Sequence, residues 1–219
     1  MVDHRHLRRT AMAVAACLAV GLVLGSCGRG DESDAAPRSV AATELSGVVR
    51  DPPLDMGAIT LPDASAQGAP FTLKAQPNGL LLVFFGYTNC PDVCPTTMSE
   101  VKRVRRDLGD DGSRVEVAMV TVDPARDTAA VLSSYLGHFF DDAHALRTDD
   151  PARLDSVISN VGLTVTTRPT TDPAYYTVDH TATLFGVDAD GKVVVEWPFG
   201  TSAQAIGSDV RQILDQERP

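Results

Sequence analysis

Six consecutive apolar residues, Leu80-Leu81-Leu82-Val83-Phe84-Phe85, constrain the fold more than any other feature of the chain. A strand with one wet face alternates polar and apolar residues, so a run with no polar position has to be covered on both faces. Such strands sit inside a parallel or mixed sheet with helices packed above and below. Gly86-Tyr87-Thr88-Asn89 breaks the run into a loop. Thr96 to Leu108 follows as a predicted helix, with Met98, Val101, Val104 and Leu108 at helical spacing. Pro95 suits its first turn, because the missing N–H would have no partner there anyway.

The rest of the chain repeats this grammar. Arg114 to Val122 reads as a second buried strand, and Asp123-Pro124 is expected to open a helix reaching about Phe140. Asp149-Asp150-Pro151 announces another helix, to Val161. Thr166 to Thr177 reads as a loop leading to His180 at the start of a strand. Thr181 to Val187 and Lys192 to Trp197 are β-rich runs joined by Asp188-Ala189-Asp190-Gly191, a hairpin signal, and Ala203 to Leu214 forms the last helix. Strand, helix, strand, helix, hairpin, helix is the order of an α/β, thioredoxin-like fold, here with an N-terminal β-hairpin extension from about Gly47 to Leu73.

The first residues follow different rules. His4, Arg5, His6, Arg8 and Arg9 make a cationic start, and Thr10 to Leu24 is an apolar run of secretory length, short for a membrane span. It closes on Leu24-Gly25-Ser26-Cys27, which resembles a bacterial lipobox. The expectation is a lipoprotein signal peptide over 1–26 and a lipid on Cys27, with an uncleaved anchor helix, or a plain signal peptide in which Cys27 is incidental, as the alternatives. Residues 27–45 are poor in groups to bury and read as a flexible tether, leaving 46–219 as the folded domain. The expected location is the cell membrane, lipid-anchored, at the extracytoplasmic face. Losing residues 1–26 removes three Arg and one Asp and takes the formal net charge from -10 to about -12. So acidic a chain does not suit nucleic acid, whose phosphates call for clustered Lys and Arg.

Of four cysteines, Cys17 lies in the export signal and Cys27 would carry lipid, so Cys90 and Cys94 are alone in the exported domain. Two thiols four residues apart in an oxidising compartment admit a disulfide, a redox pair or metal ligation. Their place on a loop entering a helix N-terminus is expected to favour thiolates.

Three segments carry a family resemblance. Phe85-Gly86-Tyr87-Thr88-Asn89-Cys90-Pro91-Asp92-Val93-Cys94-Pro95-Thr96-Thr97, Val122-Asp123-Pro124-Ala125-Arg126-Asp127-Thr128 and Val178-Asp179-His180-Thr181 are similar to motifs of the Sco/SenC family of copper-handling proteins, in the same order. The resemblance spans roughly Gly47 to the C-terminus. It implies a membrane-tethered thioredoxin-like domain that binds copper through Cys90, Cys94 and His180 and helps build the binuclear copper centre of cytochrome c oxidase. Many relatives have His before the first Cys, where this chain has Asn89; that position is not a family ligand.

The donor chemistry agrees with that implication. Two thiolates and an imidazole form a soft set suited to Cu(I) and able to hold Cu(II), whereas structural zinc usually takes four protein ligands. Asp179 reads as a solvated acid or a support for the site, His138 and His144 as surface residues, and Asp123 with Pro124 as a helix start that could also dock a partner. Two functions follow. One is a metallochaperone passing copper to the copper-bearing oxidase subunit. The other is a thiol-disulfide oxidoreductase in which Cys90 and Cys94 cycle between dithiol and disulfide, supplied by a thiol reductant. A reductase does not need His180, so that residue separates them.

Overall fold

In the computed structural model the described residues are 44–171 and 175–217. The expected signal peptide, Cys27 and nearly all of the tether lie outside them. Residues 80–86 form the strand that the apolar run demands, and all seven are buried. Numbered along the chain, the strands are β1 (Thr60–Asp63), β2 (Ala69–Thr72), β3 (Leu80–Gly86), β4 (Val115–Thr121), β5 (His144–Leu146), β6 (Val165–Pro169), β7 (Tyr176–His180), β8 (Thr183–Val187) and β9 (Val193–Pro198). The α-helices are α1 (Val93–Asp107), α2 (Ala129–Gly137), α3 (Pro151–Val161) and α4 (Ala203–Gln216).

Seven strands form one sheet in the order β2-β1-β5-β4-β3-β8-β9. β3 is parallel to β4 on one side and antiparallel to β8 on the other, with Phe84 opposite both Met119 and Leu184. A parallel pair needs a crossover, and α1 supplies it between β3 and β4. Strands β5-β4-β3-β8-β9 and their helices make the thioredoxin-like body. The β1–β2 hairpin joins at the β5 edge through one residue pair, Asp63 with Leu146. Phe84, Phe85, Phe185, Trp197 and Met119 fill the core.

Local chemistry sets the ends of the elements. Asp150 caps α3 by accepting from Ala152 and Arg153 N–H, Pro151 opens it, and Gly162 ends it in the left-handed region at φ +74°. In the β8–β9 turn Gly191 has φ +85°, and a Cβ there would lie 2.3 Å from Gly57 Cα, so both backbone angle and space demand glycine. Ahead of β1, Leu45 rests against the core. The buried Asp209 carboxylate accepts from Ser46 N, Gly47 N and Trp197 Nε1 at 2.8–2.9 Å, which fixes the chain's entry to the domain. No helix among the described residues is long and apolar enough to cross a membrane.

Four expectations are corrected. Asp123-Pro124 does not open a helix: residues 123–128 form a turn, and Thr128 caps α2 by accepting from Val131 N–H. The stretch expected as a loop is the β6–β7 hairpin, a separate two-stranded sheet, so that His180 ends a strand rather than beginning one. Helix α1 starts at Val93, three residues early, which brings Cys94 into its first turn. The extension pairs only over β1 and β2; residues before it run along β9, meeting it at Val48 with Glu196 and just before it at Asp55 with Lys192.

Candidate metal centre

The cysteines lie where β3 ends and α1 begins. Gly86, the last residue of β3, leaves room for a sulfur: a Cβ on it would stand 3.0 Å from Cys94 Sγ and 2.6 Å from the Phe84 ring. The loop that follows is held from beneath. Asp127, fully buried, accepts from Thr88 Oγ1 at 2.6 Å, from Thr88 N at 3.1 Å and from Thr121 Oγ1 at 2.6 Å. This carboxylate ties the cysteine loop to the end of β4, a role that its place before a helix does not disclose.

His180 reaches the cysteines from β7. Its Nε2 lies 3.6 Å from Cys94 Sγ. Its Nδ1 is 3.1 Å from the Thr181 carbonyl; as donor to that oxygen, Nδ1 carries the proton and Nε2 presents its lone pair to the sulfurs. The imidazole is walled edge-on by Phe84 and Tyr87, with ring centroids 5.9 and 5.8 Å away. The ligand-type atoms of Cys90, Cys94 and His180 all lie within 4.8 Å of one another, the one such cluster among the described residues.

The two thiols are unlike. Cys90 is half-buried, and the Cys94 N–H in the first turn of α1 donates to its sulfur at 3.4 Å. Cys94 is fully buried, and burial pushes its thiol well above the ordinary range; a backbone hydrogen bond from Tyr87 opposes this and the neighbouring Cys90 sulfur adds to it. The expectation that the helix N-terminus would favour both thiolates therefore fails at Cys94, because desolvation outweighs the helix dipole. Burial also lowers His180, against smaller contributions from Thr181 and Asp179, and so favours the neutral imidazole that metal ligation requires. A soft cation can take both sulfurs as thiolates, since coordination displaces the Cys94 proton.

Other candidates fall elsewhere. Asp179 is exposed and pairs with Arg168, so it does not support the site. His138 is a surface residue whose Nδ1 meets carbonyls of its own helix. His144 is half-buried rather than a surface residue: its Nδ1 is 2.8 Å from Asp63 Oδ2, its Nε2 is 3.7 Å from Glu116 Oε1 and its ring stacks on Phe71.

A thioredoxin-like domain that gathers two sulfurs and one imidazole at the end of its central strand belongs to the proteins that handle soft metals or exchange thiols. The SCO1/SenC family model matches residues 63–215, and the chain belongs to that family. A relative from Stutzerimonas stutzeri is 31% identical over 150 residues, covering 68% of this chain and 72% of that one. The copper-bound structure of Bradyrhizobium japonicum ScoI is 35% identical with TM-score 0.61, over 70% of this chain and 96% of that one. BsSco, a member of the Sco family of cytochrome c oxidase assembly proteins in which a disulfide switch was identified, shares the fold at 18% identity and TM-score 0.58, over 78% of this chain and 98% of that one.

Proposed function

We propose that this protein is a copper metallochaperone, which binds one copper ion through Cys90, Cys94 and His180 and passes it to the copper-bearing subunit of cytochrome c oxidase. One observation carries the reading: two sulfurs and a neutral imidazole nitrogen converge within 4.8 Å, in a chain whose family includes copper-bound members. Three protein ligands leave a soft ion open to an incoming thiolate or imidazole, and half-buried Cys90 gives such a ligand its approach. Release by ligand exchange then needs no unfolding. Cys27 is the proposed lipid attachment point, and the tether would hold the acidic domain at the extracytoplasmic face, near a membrane-bound acceptor.

The asymmetry of the thiols supports a second activity. Half-buried Cys90, the less buried of the two and with a helix N–H on its sulfur, can attack an exported disulfide, and Cys94 can then resolve the mixed disulfide. Two thiols become one Cys90–Cys94 disulfide, two electrons and two protons pass to the substrate, and a thiol reductant resets the pair. The same reductant keeps the sulfurs competent for copper.

Metal analysis of the reduced protein tests the first reading. It should hold one copper per chain, His180→Ala should bind copper more weakly with a changed Cu(II) absorption spectrum, and oxidation of Cys90 and Cys94 to the disulfide should abolish binding. Unchanged affinity and spectrum in His180→Ala would overturn the ligand set. Disulfide reduction that survives in His180→Ala would show that the thiol activity is separate from copper binding. Cys27→Ala should abolish lipidation and leave copper binding intact; a variant processed and membrane-bound like the parent would identify the apolar segment as the anchor.

A further inference from the structure

The histidine half of the site rejoins the main sheet only after His180, where β8 begins at Thr183 and its Leu184 pairs with Phe84 of β3. Among the described residues β7 pairs with β6 alone, and Val178 is its one buried residue. Yet His180 Nε2 has to stay near sulfurs carried by the loop after β3. The backbone anchors His180 from its C-terminal side, and side chains of the turn 123–128 hold β7 from the other, at Tyr176.

Arg126 lies with its Cζ 3.7 Å from the centre of the Tyr176 ring and 5.7 Å from that of Tyr87. Its Nη1 donates to the Tyr176 carbonyl at 3.0 Å and its Nε to Asp123 Oδ2 at 2.5 Å. The Tyr176 hydroxyl donates to the other oxygen of Asp123 at 2.7 Å. Tyr176 is four residues before His180 on β7, and Tyr87, the second ring beside Arg126, walls the His180 imidazole. Arg126 Nη2 is buried without a hydrogen-bond partner, so tertiary structure holds the guanidinium where its own hydrogen bonding is incomplete. The next residue, Asp127, grips Thr88 in the cysteine loop. One short turn thus holds both halves of the site, the sulfur loop through Asp127 and the histidine hairpin through Arg126 and Asp123.

We infer that Arg126 is a positioning residue for copper binding: by clamping Tyr176 and backing Tyr87 it fixes the His180 imidazole against Cys90 and Cys94. The inference rests on the copper-site reading above and adds a residue that touches no ligand atom. Removing partners that orient metal ligands typically costs about 10–100-fold in affinity. Arg126→Gln keeps a polar side chain but loses the charge, the stacking and the paired donors.

The test is a double-mutant cycle on the full-length reduced protein, with Cu(I) affinity read by competition against a chromophoric chelator and nitrogen coupling read in the electron paramagnetic resonance of the Cu(II) form. Arg126→Gln should weaken Cu(I) binding by about tenfold or more and diminish the His180 nitrogen coupling, and in a His180→Ala background it should weaken binding no further. Equal loss in both backgrounds would make the role general stability and overturn the inference, as would no loss in either. If Arg126→Gln does not fold, Tyr176→Phe, which keeps the ring and removes one hydrogen bond, should show a smaller loss in the same pattern; equal or absent losses there overturn it too. A parent protein that binds no copper, or is indifferent to His180→Ala, would overturn the proposed function instead.

Discussion

Cys90 and Cys94 follow a strand whose seven residues are all buried and which has a partner strand on each side, whereas His180 ends a strand whose single partner, β6, is exposed at four of its five positions. The sulfur half inherits the stability of the main sheet. The histidine half joins the main sheet only after His180, through β8, and before it is an arm held by Val178, by the rings around His180 and by the Asp123–Arg126–Tyr176 cluster. A centre built this way keeps its sulfurs in place and can change at its nitrogen, which suits the copper transfer proposed above.

Substitutions test that contrast. The largest effect is expected in the sheet: Phe85→Ala removes a fully buried ring that meets Phe185 edge-on, and should cost about 3–5 kcal/mol, read as a lower urea midpoint at unchanged slope. A cost below ~1 kcal/mol would deny the sulfur half its rigid base.

Next comes the link between sheet and loop. Asp127→Ala strips the acceptor from Thr88 N–H, Thr88 Oγ1 and Thr121 Oγ1 and should cost about 1–3 kcal/mol, while Asp127→Asn, which keeps an acceptor oxygen, should cost less. Equal losses for the two would show that charge, and not hydrogen bonding, holds the loop.

A smaller effect belongs to the far edge of the sheet. Burial alone would lower the pKa of His144, but the hydrogen bonds with Glu116 and Asp63 together outweigh it and raise it above the ordinary 6.5. A raised folded value means that protonation stabilises the fold: the contribution is fully present below about pH 6.5 and is lost as pH rises through the folded pKa. The urea midpoint of the parent should therefore exceed that of His144→Gln most below about pH 6.5, and the gap should narrow as pH rises through the folded pKa. A gap that widens with pH would reverse the assignment.

The smallest effect is on the hairpin surface. Arg168 and Asp179 are both exposed, and Arg168→Ala should change stability by no more than ~0.5 kcal/mol and leave copper affinity unchanged. Its contrast with Arg126→Gln, an arginine in contact with the same hairpin, separates a surface ion pair from a positioning contact.

Residues that declare themselves by pattern were read correctly. The apolar run marked β3, Asp150 and Pro151 marked α3, and Asp188 to Gly191 marked the β8–β9 turn. The β6–β7 hairpin was missed because Thr166, Thr167, Arg168 and Thr177 are polar and exposed, so no alternation of apolar residues betrays a strand. Asp123 reads as a helix start because a carboxylate followed by proline looks like a cap, and nothing local says that it will meet Tyr176 or that Asp127 will be buried against Thr88. His144 passed for a surface residue because its partners, Asp63 and Glu116, are distant in sequence.

The sheet-and-helix body and the cysteine pair at a strand-to-helix junction are legible along the chain, as is, through resemblance, the distant histidine expected to join the pair. These depend on local periodicity, turn chemistry and residue type, all written along the chain. Long-range packing made Cys94 the buried thiol and Cys90 the half-buried one, turned His180 so that it offers Nε2, and set the turn 123–128 to grip both halves of the site. Burial and side-chain contact across 39 or 50 residues arise only when the sheet brings those segments together, and desolvation and hydrogen bonding then set what each group can do.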